Sequence, residues 1–358
     1  MKRQGLSIAL AAAITASLAT AAAVQAADTA KTYKVFILAG QSNMQGKAQN
    51  TLLEYQAEDP KTKDLYRHLR KDRKWIVRDD VFIKYGLRKG PLTIGYGSPN
   101  RTGSELEFGW MMGDRFEEPV VLIKAAFGGA SLSQSFRSPS AGLPSDEKLQ
   151  AQLDGAQARA KAINERDKKN DPLPTMDDIK KLYGGLYREM LADVKGVFEN
   201  GETLFPELKG KKPELAGFVW FQGWNDQYGT ENEYASNMKH FIKDVRKDLG
   251  APNLPFVIVA MGQNGSTPAT GAMLTIREAQ MAMQDVPEFK GNVKAFRADV
   301  LVDKDAERLH EGSQQHPEEW KKFGSDDGYH YYGSAIWYSR IGHAMGEAML
   351  ELMKEQGK

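Results

Sequence analysis

Val35-Phe36-Ile37-Leu38-Ala39 runs without a polar residue into Gly40-Gln41-Ser42-Asn43-Met44. A short apolar run rich in branched side chains, ended by glycine, reads as a strand buried on both faces of a parallel sheet. Comparable runs recur along the chain, and the predicted strands are residues 33–39, 81–85, 120–125, 218–221, 256–260 and 293–298. Between them lie helix candidates at 182–198, 231–249 and 272–284. A last helix is expected at 333–354, with Ile336, Ile341, Ala344, Met345, Ala348 and Met349 forming its apolar face. Strands alternating with helices predict an α/β fold: a doubly wound parallel sheet with helices on both faces. Its functional loops should gather at the carboxyl ends of the strands.

Working outward, the first 26 residues have the pattern of a secretory signal. Lys2 and Arg3 precede an Ala-rich apolar stretch that ends at Val24-Gln25-Ala26. Export to the periplasm or the medium is therefore expected, with residues 27–358 as a single domain. Two charged segments, 45–106 and 138–180, read as insertions, because long loops in compact domains usually serve a purpose. The charge run from Glu165 to Asp171 reads as a solvated face. With 48 basic and 47 acidic residues, nothing indicates a nucleic-acid groove or a polybasic membrane patch. The absence of cysteine excludes disulfides, thiolate catalysis and Cys-ligated zinc. No H-E-x-x-H or similar ligand spacing appears, so no metal or organic cofactor is expected.

Ser42 follows the first strand, where Gly40 permits a tight turn and a helix start would aim free N–H groups at developing charge. The sequence is not a lipase elbow, because Met44 stands where G-x-S-x-G needs its second glycine. Of the six histidines, His68, His240 and His343 read as surface or helix-face residues, and His310 and His316 lie in a polar loop. His330 differs, because it follows Asp326-Asp327-Gly328-Tyr329 just before the last helix. An aspartate three residues back across a glycine can fold onto one imidazole nitrogen and leave the other free to accept a serine proton. Asp327 has that spacing, and Asp326 is its competitor. Two further loops follow predicted strands: Phe127-Gly128-Gly129-Ala130 and Gln222-Gly223-Trp224-Asn225-Asp226. Paired glycines bring backbone N–H groups close to a ligand, and an amide side chain adds a donor, as an oxyanion requires.

These four blocks together resemble the SGNH (GDSL-type) hydrolases. The Gly-Gln-Ser-Asn-Met and Phe-Gln-Gly forms are most similar to the sialate O-acetylesterase-like branch, carbohydrate esterase family six. The resemblance spans Lys34 to His330 and implies a flavodoxin-type sandwich. It implies Ser42 as nucleophile, His330 as general base and Asp327 as its orienting carboxylate. The oxyanion donors would be the N–H groups of Ser42 and of Gly128 or Gly129, with the Gln222 side chain; Asn225 has a smaller claim. Asp226 would hold its loop. Gln41, Phe136, Arg137, Trp224, Asn225 and Tyr329 are the candidate substrate contacts, the aromatics by stacking on a sugar and Arg137 by meeting an acidic one. The implied reaction is removal of O-acetyl groups from a carbohydrate through an acetyl-serine intermediate. A lipase or thioesterase on the same scaffold and a non-catalytic carbohydrate-binding relative are the alternatives. The sugar and the oligomeric state stay open.

Overall fold

The computed structural model describes residues 31–357. The expected signal at 1–26 lies outside the described residues. Seven strands form the central sheet: β1 (Thr32–Gly40), β2 (Val81–Tyr85), β3 (Arg88–Pro91), β4 (Val120–Ala126), β5 (Lys212–Phe221), β6 (Phe256–Ala260) and β7 (Val293–Arg297). Their spatial order is β7-β6-β5-β1-β4-β2-β3. All neighbouring pairs are parallel except β2–β3, an antiparallel edge hairpin. The chain starts at the centre, builds one half of the sheet through β4, then crosses β1 to build the other half. That reversal opens a crevice at the carboxyl ends of the central strands.

Side chains alternate across β1 as a strand demands. Phe36 and Leu38 join one apolar layer, with helix α2 (Glu105–Arg115) and the C-terminal helix α7 (Ala335–Glu355). Val35, Ile37 and Ala39 join the other, under α4 (Gly185–Leu204), α5 (Tyr234–Asp248) and α6 (Gly271–Ala282). In that second layer the Phe241 ring meets Trp220, Phe218 and Phe256 at 4.5, 5.9 and 6.2 Å. Every residue from Val35 to Ala39 is buried, as the apolar run predicted.

The span 45–106 is more than an insertion, since it supplies β2 and β3. It also contains a short antiparallel pair, Ala48–Gln49 with Arg101–Thr102. The span 138–180 is largely helical, with α3 (Asp146–Asp167) packed on the short helix Met176–Leu182 through Leu149 and Ile179. Among the described residues, no helix is long and apolar enough to cross a membrane.

Candidate active site

β1 ends against β5 with no room for a side chain. A Cβ on Gly40 would stand 2.1 Å from the Phe221 carbonyl oxygen. Backbone bonds from Gln41 N to Phe221 O (3.2 Å) and from Phe127 N to Gly40 O (3.1 Å) lace the ends of β5, β1 and β4 together. Ser42 then opens the single helical turn α1 (Ser42–Gln45), with Gln41 in the cap position. The first N–H groups of such a turn have no helical partner. Beneath it the fully buried Lys124 ammonium donates to Gln45 O (2.6 Å), Tyr96 O (2.9 Å) and Glu105 Oε2 (2.8 Å). Burial pushes this lysine's pKa down, against the opposing pull of Glu105.

The closing loop, Gly328–Gly333, is latched to that turn. Asn43 Nδ2 donates to Tyr329 O (3.1 Å), and the Tyr338 hydroxyl lies 2.9 Å from Asn43 Oδ1 and 3.3 Å from His330 O. His330 is therefore tied to the residue beside Ser42. Its orienting partner is not the one expected from spacing. His330 Nδ1 lies 3.0 Å from Asp326 Oδ1, whereas Asp327 is largely exposed and faces His310 at 3.7 Å. The backbone explains the correction. Tyr331 and Tyr332 both take left-handed φ, 54° and 59°, an arrangement that costs a bulky residue about 1–3 kcal/mol each and persists only where the surroundings impose it. The buried Tyr331 ring does so, packed edge-on to Trp337 at 4.7 Å, with its hydroxyl accepting from Gly262 N. The reversal brings Tyr332 O onto the N–H groups of both Ser325 and Asp326, at 2.8 and 3.0 Å. Asp326 is drawn under the imidazole, and Asp327 becomes the outward-facing start of the turn.

Both oxygens of Asp326 are occupied. Oδ1 also accepts from Asp327 N (2.9 Å), and Oδ2 accepts from Arg101 Nη1 (2.7 Å). Burial raises the carboxyl pKa, but the hydrogen bonds from His330 and Asp327 and the charges of His330 and Arg101 outweigh it, so Asp326 sits below the ordinary carboxylate range.

The expected oxyanion donors divide. Gly128 and Gly129 are exposed on the loop that follows β4, Gly129 with φ 72°. Gln222 is buried and consumed: its Nε2 donates to Asp226 Oδ2 (2.6 Å), Ala130 O (3.0 Å) and Gln41 Oε1 (3.3 Å). It has no hydrogen left for an oxyanion, which corrects that expectation. Asn225 is better placed. Gln41 Nε2 donates to its Oδ1 at 3.1 Å, which turns Nδ2 toward Gly129, 4.0 Å from where a Cβ would stand. Asp226 holds its loop, accepting from Leu132 N and Ser133 N at 2.8 Å each. Its burial raises the carboxyl pKa against those bonds.

Three expected substrate contacts are corrected. Gln41 is buried, with Oε1 accepting from Gly223 N (3.2 Å) and Asn225 N (3.3 Å), so it braces the third loop. Phe136 is a core residue, edge-on to Trp220 at 5.1 Å. Arg137 is spent on Glu233 and on the carbonyls of Ser133, Ala141 and Gly142. Trp224 and Tyr329 do lie together at the rim, ring centroids 6.0 Å apart, and Tyr329 stands 4.4 Å from the His330 ring. Arg101, Asn43 and Tyr338 complete the site without having been singled out. Only Asn43 lay inside a motif that could have signalled it. Among the described residues, no group of three His, Asp or Glu side chains could hold a metal ion.

A serine at a strand end, an imidazole held by a half-buried carboxylate and glycine and amide donors on adjoining loops define a site suited to nucleophilic acyl transfer. The chain belongs to the family described as carbohydrate esterase, sialic acid-specific acetylesterase, whose pattern it matches over residues 32–166 and 175–319. Its family is thus one of carbohydrate esterases. A probable carbohydrate esterase of Arabidopsis thaliana is 33% identical over 73 residues, a match spanning 20% of this chain and 26% of that relative. Among solved structures, that of an Arabidopsis thaliana protein superposes with TM-score 0.49 at 17% identity, covering 88% of this chain and 97% of its own. A structure described as a novel carbohydrate acetylesterase from Xanthomonas citri gives 0.48 at 11% identity, covering 91% and 57%.

Proposed function

We propose that this chain removes O-acetyl groups from a carbohydrate through an acetyl-Ser42 intermediate. Ser42 Oγ attacks the acetyl carbonyl carbon as His330 Nε2 takes the hydroxyl proton. The carbonyl oxygen gains the negative charge, facing the N–H groups of Ser42 and of the Gly128–Gly129 turn with the Asn225 amide. Collapse breaks the bond to the sugar oxygen, which takes the proton back from His330. Water attacks the acetyl-enzyme, its proton passing to His330 and then to Ser42 as acetate leaves. Asp326 keeps the ring in the tautomer that leaves Nε2 free to accept.

The observation that carries this reading is the latch through Asn43, which ties the Asp326-held His330 to the turn bearing Ser42. The pair of the partly buried Trp224 and the exposed Tyr329 supports a sugar ring at the rim, since such faces stack on apolar sugar surfaces. The signal-like first 26 residues support an exported enzyme acting on acetylated glycans.

The test is hydrolysis of 4-nitrophenyl acetate and butyrate by wild type and Ser42→Ala. Preference for acetate, with turnover falling by several orders of magnitude in the variant, is expected. Full activity in Ser42→Ala would refute the mechanism.

A further inference from the structure

Arg101 contacts the carboxylate that holds His330. Its backbone is built into a rigid pedestal. The pair Gln49–Arg101 closes the short antiparallel ladder, Arg101 N donates to Ser98 O (2.8 Å), and Gly97 N donates to Arg101 O (2.7 Å). A Cβ on Gly97 would stand 2.5 Å from that same carbonyl oxygen, so only glycine lets the turn close this tightly. From this pedestal one guanidinium nitrogen, Nη1, uses its two hydrogens on two segments. It donates to Asp326 Oδ2 at 2.7 Å and to Lys47 O at 2.6 Å, two residues after α1. The side chain is about one-fifth exposed, and Asp326 less. Charge-assisted bonds of this kind, shielded from water, hold a carboxylate in one rotation. Asp326 needs that, because Oδ1 must face His330 Nδ1 while its own backbone follows the strained turn.

We propose that Arg101 is a positioning residue of the esterase site, clamping Asp326 so that Oδ1 meets His330 Nδ1 and pinning the segment after the Ser42 turn to the same guanidinium. It touches neither substrate nor reacting atoms, and acts through Asp326 and through the segment it holds at Lys47. The span 45–106 thereby supplies a strut to the site as well as two strands to the sheet.

The proposal rests on the reading of Ser42 and His330 as nucleophile and base, and its test separates the two. Wild type, Arg101→Gln, Arg101→Lys and Ser42→Ala are compared by 4-nitrophenyl acetate kinetics. They are also compared by the low-field proton resonance of the His330 Nδ1–H···Asp326 bond, assigned by its loss in His330→Gln. Arg101→Gln should lower kcat about ten- to a hundred-fold with KM nearly unchanged, the size of effect a displaced catalytic group produces. Its low-field proton should broaden away. Arg101→Lys, which keeps the charge on a shorter and differently shaped donor, should recover part of kcat and the resonance. It carries the same comparison should Arg101→Gln not fold. In Ser42→Ala turnover should vanish while the resonance stays. A resonance unchanged in Arg101→Gln, or kcat within twofold of wild type, would overturn the proposal. Activity surviving in Ser42→Ala would instead overturn the nucleophile assignment, with the resonance still deciding on Arg101.

Discussion

Asp326 and Asp327 are neighbours in sequence with opposite surroundings. One is half-buried and accepts from His330, Arg101 and a backbone N–H; the other is exposed beside His310. Their removal should therefore differ sharply. Asp326→Asn is expected to lower kcat by about 10³–10⁴-fold, the scale seen when a triad carboxylate loses its charge. Asp327→Asn should stay within a few-fold of wild type, and steady-state kinetics on an acetyl ester read both. The motif made Ser42 and His330 legible because strand, glycine and serine stand in sequence and only one histidine follows a turn-forming acidic pair. Spacing could not choose between the two aspartates. That choice depends on the left-handed Tyr331 and Tyr332, which are set by tertiary packing of the Tyr331 ring. Gln222 and Asn225 repeat the lesson: both carry an amide, but only the structure shows that Gln222 is consumed by Asp226, Ala130 and Gln41.

Among the elements, the parallel strands could be read from sequence because they are buried on both faces and so are continuously apolar. β3 could not: as an antiparallel edge it consists of Arg88, Lys89, Gly90 and Pro91, the composition that protects edges. Helix α3 was hidden in a charged span because it buries only Leu149. Helix α2 went unread because its inner face includes the carboxylates Glu105 and Glu107, each matched to a partner. Glu107 accepts from Ser339 on α7 (2.9 Å) and meets His68 Nε2 at 3.0 Å. That bond raises the His68 pKa above its ordinary 6.5, with burial opposing. A raised folded-state value means the stabilisation is fully present below about pH 6.5 and is lost as pH rises through the folded pKa. His68→Gln should therefore destabilise the protein at pH 6 and make no difference at pH 9. The loss should stay below about 1 kcal/mol because the ring is half exposed. Urea midpoints at the two pH values check this; equal losses at both would show that the pair contributes nothing through charge.

At the scale of the molecule, the site exists only when the sheet is complete. Ser42 leaves the central strand, Asn225 leaves its neighbour on one side and Gly128 its neighbour on the other, while Asp326 and His330 arrive from the far end of the chain. Their meeting point is the crevice that the reversal of strand order opens, so the doubly wound architecture itself gathers Ser42, Asn225, Gly128 and the Asp326–His330 pair. Two apolar layers, one on each face, hold that arrangement without any disulfide. The central claim is that this gathered serine carries the acyl group. Acid-quenching the enzyme during turnover of 4-nitrophenyl acetate, then mapping its peptides by mass, tests it most directly. One acetyl group on Ser42, absent from Ser42→Ala, is the predicted result. Sustained serine-dependent turnover with the acetyl group found on another residue would contradict it.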